Sequence, residues 1–299
     1  MRKINCLSSF ILKIIALVTM AFDHVGLMLE TLYPYDINVL QVADIFRIIG
    51  RLALPLFVFM IVEGVIHTKN IKKYFFRLGI MALLISIFFM VLEYSSFRNS
   101  SHGLLRAGNI FLDLLLIVLM IYLLKQNELW KKLLILLPIA FSILSFIVKG
   151  LETASGIDIH WFPCFLTLQY DWFSLLLGLG FYSSYLIADG YIKATESTTQ
   201  MDKSIWEANG NYRLLVNILS IFMLVVVNFL YYCSKYYWPE GIFWSVEIEL
   251  YSIISGAFIL LYNGKRGYNA KWFQYGSYLY YPLHIIIIIM IFIIVNGGI

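Results

Sequence analysis

The segment LKIIALVTMAFDHVGLML (12–29) has the length and apolar character of a membrane-spanning helix, yet it places Asp23 and His24 side by side near its middle. About 20 apolar residues cross the roughly 30 Å of bilayer hydrocarbon. An ionisable side chain at that depth costs roughly 2.5–3.5 kcal/mol on insertion scales. We therefore expect the pair to be enclosed between helices and shielded from lipid.

The composition of the whole chain extends this interpretation. Of its 299 residues, 61% are hydrophobic and 13% are charged, whereas soluble domains carry about 25% charged residues. The mean hydropathy is +0.81, which is typical of a polytopic membrane protein. The net charge of +4 does not predict a nucleic-acid partner, because membrane proteins collect Lys and Arg at their cytoplasmic ends.

Cysteines and short motifs add little chemistry of their own. Cys6, Cys164 and Cys233 are far apart and lack metal-ligand spacing, so we expect free thiols packed as small hydrophobic residues. The first apolar segment lacks a small-residue cleavage site, which predicts a retained helix and not a signal peptide. The sequence carries no zinc spacing, nucleophile elbow, phosphate-binding loop or dinucleotide fingerprint, and it predicts no metal.

Further apolar runs of membrane-spanning length follow along the chain. They predict an all-α, polytopic transmembrane helix bundle that forms a single integral-membrane domain over residues 1–299, without an internal repeat. The aromatic stretch 159–172 is placed in the membrane interface; if it crosses instead, the count rises from about nine spans to ten. The nine predicted spans are 9–31, 50–67, 74–94, 107–124, 131–149, 170–188, 213–234, 243–262 and 277–297.

Positively charged residues alternate between the ends of these spans. The richer set marks the cytoplasmic side, so the N-terminus is predicted to be cytoplasmic and the C-terminus outside. We expect a multi-pass protein of a bacterial cytoplasmic membrane. The richer set consists of Arg2, Lys3, Lys69, Lys72, Lys73, Arg77, Lys125, Lys131, Lys132, Lys193, Lys203, Arg213, Lys265, Arg266 and Lys271; the poorer set consists of Arg47, Arg51, Arg98, Arg106, Lys149 and Lys235.

Helix geometry gives each buried polar residue a depth, at a rise of about 1.5 Å per residue. His24 lies about 16 Å beyond Lys13, in the outer half of the bilayer. The second span runs the other way, so Arg51 starts near the outer face and Glu63 lies about 18 Å further in. Asp23 and His24 are therefore predicted to lie level with Arg51, and Lys13 level with Glu63.

Neighbouring residues on a helix point about 100° apart, so one of the central pair can face a cavity while the other contacts a neighbouring helix. Asp23 suits both a structural ion pair with Arg51 and a functional role, and these two readings stay open. His24 is the stronger functional candidate, because imidazole titrates near neutral pH and suits proton transfer. Asp113, in the fourth span, is also predicted to be within reach of Arg51. His284 is placed at the cytoplasmic start of the last span, as a helix cap or as part of a site.

Five segments together resemble the TraX family, membrane proteins linked to the N-acetylation of conjugative pilin. They occur in the expected order from the first span to the last. The segments are LKIIALVTMAFDHVG (12–26), RIIGRLALPLFVFMIVEGVIHTKNIKKYFFRL (47–78), GNIFLDLLL (108–116), LYNGKRG (261–267) and YLYYPLHIII (278–287).

The family in turn looks like a distant branch of the transmembrane acyltransferase superfamily, which moves acyl groups from cytoplasmic acyl-CoA to extracytoplasmic acceptors. Surface-sugar O-acetyltransferases of that superfamily carry a basic residue, ten intervening residues and a histidine on the first helix, a spacing that Lys13 and His24 match. Lysine stands where arginine is usual, which removes bidentate phosphate binding at that position. Arginines at the cytoplasmic start of the third helix are matched by Arg77, with Lys73 one turn earlier.

The resemblance implies an acetyltransferase, with acetyl-CoA as donor and without a metal. The acceptor would be a peptide or pilin N-terminal amine, or a surface glycan hydroxyl, outside the membrane, with His24 as general base and Asp23 beside it. The acyl-CoA-binding residues would be Lys13, Lys73, Arg77, Lys265, Arg266 and His284. The supporting polar residues would be Arg51, Glu63, Asn109, Asp113 and Tyr281.

Two other functional classes stay open. A proton-coupled transporter or permease would use buried charges as a proton relay, but such folds usually show repeated halves, whereas most of the buried charge here lies in the first two spans. A non-enzymatic subunit of a conjugation or secretion machine would leave Lys13, His24 and Arg77 freely replaceable. The acceptor, the acyl-chain length and the oligomeric state, a homo-oligomer included, are also open.

Overall fold

A computed structural model describes residues 6–94, 108–155, 159, 161–199, 202–234 and 246–295. Across these residues the regular structure is helical, and the β-contacts amount to one bridge between Leu7 and Tyr262. The prediction of an all-α, polytopic helix bundle is confirmed. Of the residues used to orient the chain, five lie outside the described ranges: Arg2, Lys3, Arg98, Arg106 and Lys235.

The helices are numbered here in chain order. They are α1 (Ser9–Leu32), α2 (Ile37–Gly50), α3 (Ala53–His67), α4 (Ile71–Glu93), α5 (Ile110–Leu124), α6 (Leu129–Leu133), α7 (Leu136–Ser155), α8 (Asp171–Thr199), α9 (Lys203–Ala208), α10 (Asn211–Ser234), α11 (Val246–Glu249), α12 (Ser255–Leu260) and α13 (Lys271–Val295). Two 3₁₀ turns, Cys164–Leu166 and Leu250–Ile254, lie between them.

Seven helical stretches in the described ranges are long and apolar enough to cross a membrane, so this is a multi-pass membrane protein. Each of the nine predicted spans falls on one of these seven or on one of two shorter apolar helices, Ile110–Leu124 and Leu250–Leu260. The predicted span ends at 107, 243–245 and 296–297 lie outside the described residues. The seven are Ser9–Leu32, Ile37–His67, Ile71–Val91, Leu129–Glu152, Cys164–Glu196, Asn211–Ser234 and Lys271–Phe292.

Helix α2 was not predicted from the sequence, which placed the second span at 50–67. The structure begins this stretch earlier, because the carboxylate of Asp36 caps α2 by accepting from the backbone N–H groups of Asn38 and Val39. A short turn at Arg51 and Leu52 then leads directly into α3. Polar residues within 37–50 lower its hydropathy, which is why the hydropathy pattern alone did not reveal it.

The described chain divides into two compact units. The first comprises Met1–Phe57, Ser184–Asn228 and Ser245–Ile299, and the second comprises Val58–Ser183 and Phe229–Trp244. The prediction of one domain over 1–299 stays a prediction.

In the first unit, α1 and α2 form an antiparallel hairpin. Glycines allow the two helices to approach closely: a Cβ on Gly26 would lie 2.9 Å from the carbonyl oxygen of Ala43, and one on Gly50 would lie 2.3 Å from the Cβ of Asp23. Phe22 and Phe46 pack edge to face across the same contact, with ring centroids 5.1 Å apart. The hairpin therefore brings the polar residues of α1 directly against α2.

Helices α1 and α13 pack parallel to each other, also within the first unit. Lys13 lies over the ring of Phe273, with its Nζ 5.8 Å from the ring centroid, and the rings of His24 and His284 lie 4.8 Å apart. In both contacts the α13 residue follows the α1 residue by 260 positions. The two helices therefore keep one register over about three turns. The first and last of the spans run in the same direction, as an odd number of crossings requires.

In the second unit, polar side chains hold the segment between α7 and α8. Asp113 accepts hydrogen bonds from the backbone N–H groups of Gln169 and Tyr170, at 2.7 and 3.2 Å, and from the hydroxyl of Ser174 at 2.7 Å. Lys149 donates to the carbonyl oxygen of Leu168 at 2.7 Å. Non-helical backbone at membrane depth must find such partners within the protein, which gives Asp113 a structural role in this unit.

Candidate functional site

A buried cluster of charged residues joins three helices of the first unit. Asp23 on α1 forms ion pairs with Arg47 and Arg51, the former at 3.2 Å between Nη1 and Oδ2. Arg51 also donates from Nη1 to Oε2 of Glu249 at 2.9 Å. These four residues are all less than 10% exposed. Glu30 adds a third carboxylate, 3.5 Å from Nε of Arg47.

The local sequence explains how two arginines reach one carboxylate. Arg47 and Arg51 are four residues apart around the end of α2, so they lie on the same face of that helix. Gly50 has no side chain to separate that face from Asp23. The Nε of Arg51 also donates to the carbonyl oxygen of Arg47 at 3.4 Å, which orients the guanidinium.

The expected contact between Asp23 and Arg51 is present, but three further members of the cluster were not predicted: Arg47, Glu30 and Glu249. Arg47 could have been found: once 37–50 is recognised as a helix, its one-turn spacing from Arg51 places both on one face. Glu249 had no comparable signal, because it is 198 residues from Arg51 in the sequence.

The cluster is not electrically balanced when all of its members are ionised. Three carboxylates (Asp23, Glu30 and Glu249) face two guanidinium groups (Arg47 and Arg51), which leaves one formal negative charge. The buried Oε1 of Glu249 has no hydrogen-bond partner within the described part of the chain. A cationic group would complement this charge.

A pair of histidines lies beside the cluster in the sequence of α1. His24 Nδ1 is 2.9 Å from the carbonyl oxygen of Met20, and His284 Nδ1 is 2.7 Å from the carbonyl oxygen of Tyr280. The two rings are perpendicular, and His284 Nε2 lies 3.4 Å from His24 Nδ1. This contact joins α1 to α13.

The predicted position of His284 at the start of the last span is wrong. Helix α13 begins at Lys271, so His284 lies in its middle, next to His24. The polar and aromatic residues before Pro282 lower the hydropathy and made the helix look shorter than it is. A role for His284 in acyl-CoA binding stays a prediction.

The hydrogen bonds assign a tautomer to His24. A carbonyl oxygen only accepts, so the proton of a neutral His24 ring resides on Nδ1, facing Met20. The described hydrogen bonds of this ring all involve Nδ1. Its Nε2 therefore carries the lone pair that can accept a proton.

Apolar and aromatic side chains surround the histidine pair. Tyr280 stacks on His284 with ring centroids 4.9 Å apart and an interplanar angle of 8°. Tyr281 packs edge-on against both histidine rings, at 6.5 Å from His24 and 5.9 Å from His284. The two tyrosines also pack on a cluster of Leu17, Met20 and Ala53. Tyr281, predicted as a supporting residue, thus contacts both histidines.

Three basic residues predicted to bind acyl-CoA, Lys13, Lys265 and Arg266, lie at the start of α1. The carbonyl oxygens of Lys265 and Arg266 accept from the backbone N–H groups of Ser9 and Phe10, at 2.9 and 3.1 Å. Gly267 has φ +70°, and a Cβ there would lie 2.4 Å from the Oγ of Ser8. The loop NGKRG is thus fixed to the first turn of α1, which places Lys265 and Arg266 at the same end as Lys13.

The remaining predicted residues belong to the second unit. Arg77 lies 5.7 Å from the ring centroid of Tyr74 on α4. Glu63 is buried, with its Oε2 3.8 Å from Nδ1 of His67. Asn109 caps α5 by accepting from the N–H of Phe111, and its amide donates to the carbonyl oxygen of Ala82 and to Ser86. The remaining two of this set are Lys73 and Asp113.

Within the described ranges, no group of three or more His, Cys, Asp or Glu side chains could hold a metal ion. All three cysteines are free, and Cys6 is exposed.

Replacing Gly50 by alanine tests the close approach of α1 and α2. The new Cβ would overlap Asp23, so we expect the free energy of unfolding to fall by about 1–3 kcal/mol, the usual cost of overpacking. Thermal unfolding of the purified protein in detergent measures the loss. Gly190→Ala is the matched control, because no atom lies within 4 Å of its Cβ position. Equal stability of the two variants would contradict the packing described.

Comparison with known proteins agrees with these features. A family model described as TraX protein matches residues 8–233. The chain is also similar to the probable fimbrial assembly protein FimC, serogroup H1, of Dichelobacter nodosus, with 31% identity over 114 residues. That alignment covers 38% of this chain and 44% of the relative, so the chain spans less than half of the curated relative it matches.

No solved structure is significantly similar to the chain. The family match, in contrast, runs from the start of α1 almost to the end of α10 and covers well over half of the sequence. The protein therefore belongs to the TraX family.

Proposed function

We propose that the protein is a membrane-embedded acetyltransferase that moves an acetyl group from cytoplasmic acetyl-CoA to an acceptor on the opposite side of a bacterial cytoplasmic membrane. The observation that carries this proposal is the parallel pair of α1 and α13. Lys13 lies beside α13 at one end of this pair, and His24 lies beside it eleven residues later. The two side chains are about 16 Å apart along the helix.

This arrangement suits a donor that has a charged and an apolar end. The phosphates of acetyl-CoA would be bound by Lys13, Lys265 and Arg266, which gather at the predicted cytoplasmic end. The pantetheine arm would lie along α1 and α13 and bring the thioester to His24. The aromatic and apolar side chains around the histidines would exclude water and so protect the thioester from hydrolysis.

The proposed reaction needs one general base. His24 Nε2 takes the proton from the acceptor amine or hydroxyl as that nitrogen or oxygen attacks the thioester carbonyl carbon. The carbon–sulfur bond then breaks, and the imidazolium returns the proton to the departing thiolate, which leaves as coenzyme A. Such proton transfer contributes typically about 10²- to 10⁴-fold to the rate, and positioning of the two substrates supplies more.

The contacts of the central pair favour His24 over Asp23 as this base. Both carboxylate oxygens of Asp23 are paired with guanidinium groups, of Arg47 and Arg51. Each oxygen that could take a proton is thus already engaged by a guanidinium group. His24 keeps Nε2 for a proton, and Asp23 is assigned a structural role.

The acceptor is proposed to be an amine, such as the N-terminus of a surface peptide. The net negative charge of the cluster around Asp23 and the Oε1 of Glu249, which has no hydrogen-bond partner among the described residues, would attract the cationic form of the amine, which releases one proton to solvent before the neutral amine attacks. The Dichelobacter nodosus relative is named as a probable fimbrial assembly protein, which supports a pilin-type subunit as the acceptor. A glycan hydroxyl is the second candidate acceptor.

A non-enzymatic role in fimbrial assembly is the second candidate function. The same relative supports it, since its printed name mentions assembly and no reaction. Such a role requires neither a donor site nor a base. The two functions therefore differ in whether acetyl-CoA binds.

Mass spectrometry of surface peptides and glycans tests the proposal directly. We expect one acetyl group to be missing from an acceptor in a deletion strain and to return on expression of the wild-type chain. Purified protein in lipid nanodiscs should bind acetyl-CoA. Unchanged acetylation in the deletion strain, together with no binding of acetyl-CoA, would support the assembly function instead.

Donor binding also has a predicted dependence on charge. Lys13→Ala and Lys265→Ala should each weaken acetyl-CoA binding about tenfold, the loss of one charge-assisted hydrogen bond, and rising salt should weaken binding by the wild type. Calorimetric titration in nanodiscs measures both effects. Lys131→Ala is the control, because this partly exposed lysine pairs with Glu128 at 2.7 Å. If Lys265→Ala bound acetyl-CoA as the wild type does, the NGKRG loop would not belong to the donor site.

A further inference from the structure

We infer that His284 is a positioning residue for His24: it accepts the Nδ1–H of His24 and so keeps Nε2 as the basic nitrogen. The inference rests on the proposed function and deepens it, because it assigns the group that prepares the base. It starts from one contact, the 3.4 Å separation between His284 Nε2 and His24 Nδ1.

The protonation of His284 follows from its backbone contact. Its Nδ1 lies 2.7 Å from the carbonyl oxygen of Tyr280, which can only accept, so Nδ1 carries the proton of the neutral ring. His284 Nε2 then holds a lone pair. This nitrogen lies 3.4 Å from Nδ1 of His24 on the neighbouring helix.

One assignment of protons satisfies all three contacts. His24 Nδ1–H is shared between the carbonyl oxygen of Met20, at 2.9 Å, and His284 Nε2, at 3.4 Å. In the opposite tautomer of His24, Nδ1 would carry a lone pair. That lone pair would face the carbonyl oxygen of Met20 and the lone pair of His284 Nε2, and these contacts would repel. The surroundings therefore select the tautomer in which Nε2 is free to act as a base.

The same contact has a role once His24 is protonated. An imidazolium is a stronger donor than a neutral ring, so the hydrogen bond from Nδ1–H to His284 strengthens as the proton arrives on Nε2. A neutral His284 offers an acceptor without the strong charge attraction with which a carboxylate would hold the proton on His24. The proton can then pass to the departing thiolate.

Packing keeps His284 in the required orientation. Its ring is only 5% exposed, and Tyr280 stacks on it nearly parallel. Tyr281 contacts both histidine rings from the side. The position of His284 Nε2 is therefore set by α13 and not by a mobile side chain.

Nitrogen NMR of the full chain in nanodiscs, labelled with ¹⁵N-histidine, tests the inference without any assay of activity. The chain has five histidines, and His24→Gln identifies the signal of His24. We expect the wild-type His24 signal to report Nδ1–H, with a nitrogen–nitrogen correlation to His284. Absence of that correlation in the wild type would overturn the inference.

Two substitutions of His284 then separate positioning from packing. His284→Phe keeps a ring to stack on Tyr280 but removes one of the two acceptors of His24 Nδ1–H and leaves the Met20 carbonyl, so the Nδ1–H signal of His24 should shift and lose its nitrogen–nitrogen correlation. The kcat of acetyl transfer should fall by about tenfold to a hundredfold, as when other histidines lose an orienting partner, while KM for acetyl-CoA stays unchanged. His284→Gln supplies a carbonyl acceptor and should restore part of kcat.

Tyr275→Phe is the matched control, because Tyr275 lies on the same helix, is 55% exposed and keeps its ring, so this change should affect neither readout. A His284→Phe protein that lost activity with an unchanged His24 signal would overturn positioning in favour of packing. An altered His24 signal in a protein whose wild type transfers no acetyl group would retain the histidine pairing and overturn the proposed function.

Discussion

Replacing His24 by glutamine should leave acetyl-CoA binding intact and lower acetyl transfer by about two to four orders of magnitude. Glutamine retains a polar side chain of similar reach, so the donor site at the opposite end of α1 should not change. It cannot accept a proton at neutral pH, so the acceptor would have to attack without a base. Single-turnover transfer from labelled acetyl-CoA in nanodiscs measures the loss, and calorimetry measures donor binding.

His67→Gln is the matched control for this change. The side chain of His67 is about half exposed at the end of α3, and its Nδ1 lies 3.2 Å from the carbonyl oxygen of Glu63. This substitution should leave both donor binding and transfer unchanged. Full transfer by His24→Gln would remove the general base from the mechanism, whereas loss of transfer in both variants would point to a general effect on the protein.

The second large effect is expected on stability, from Arg51→Met. Arg51 bridges Asp23 and Glu249, so methionine would leave the buried carboxylate of Glu249 without its cation. Removing one partner of a buried ion pair costs about 3–5 kcal/mol. Thermal unfolding in detergent should therefore occur at a much lower temperature than in the wild type.

A compensating substitution makes this prediction specific. In Arg51→Met combined with Glu249→Gln, Asp23 keeps Arg47 as its partner and no unpaired charge remains at position 249, so most of the lost stability should return. Arg266→Met, at an exposed position of the NGKRG loop, should cost at most about 1 kcal/mol. A double variant no more stable than Arg51→Met alone would contradict the charge pairing described.

The contact between Asp23 and Arg51 was predictable because both residues lie on apolar helices with a fixed rise. Depth along such helices can be counted from the sequence, and the same counting placed Lys13 at the start of α1. The predicted starts of the spans were wrong where the hydropathy of the sequence is low. Helix α2 contains Asp44 and Arg47, and the start of α13 is aromatic and polar, so residues 37–49 and 271–276 were not predicted as parts of a span.

Contacts between distant parts of the chain could not be predicted from helix rise and hydropathy. Nothing in the local sequence near Glu249 indicates that it would pair with Arg51, since α11 is only four residues long. The meeting of His24 and His284 depends on the parallel register of α1 and α13, which sequence spacing alone does not give. The common end of Lys13, Lys265 and Arg266, in contrast, was anticipated from the alternation of positive charge.

The pairing of α1 with α13 also determines when the site forms during biosynthesis. Arg47 and Arg51 follow Asp23 by 24 and 28 residues, so these arginines can pair with the Asp23 carboxylate soon after the α1–α2 hairpin is inserted. The partner of His24, His284, is synthesised 260 residues later. At about 5–20 residues per second this delay lasts roughly ten seconds or longer. The growing chain is thus able to enter the bilayer with the ion pairs of Asp23 made, while Glu249 reaches Arg51 later and the histidine pair forms only after α13 has been inserted. A ribosome that stalls before α13 leaves the α1–α2 hairpin with the ion pairs of Asp23 but without the histidine pair.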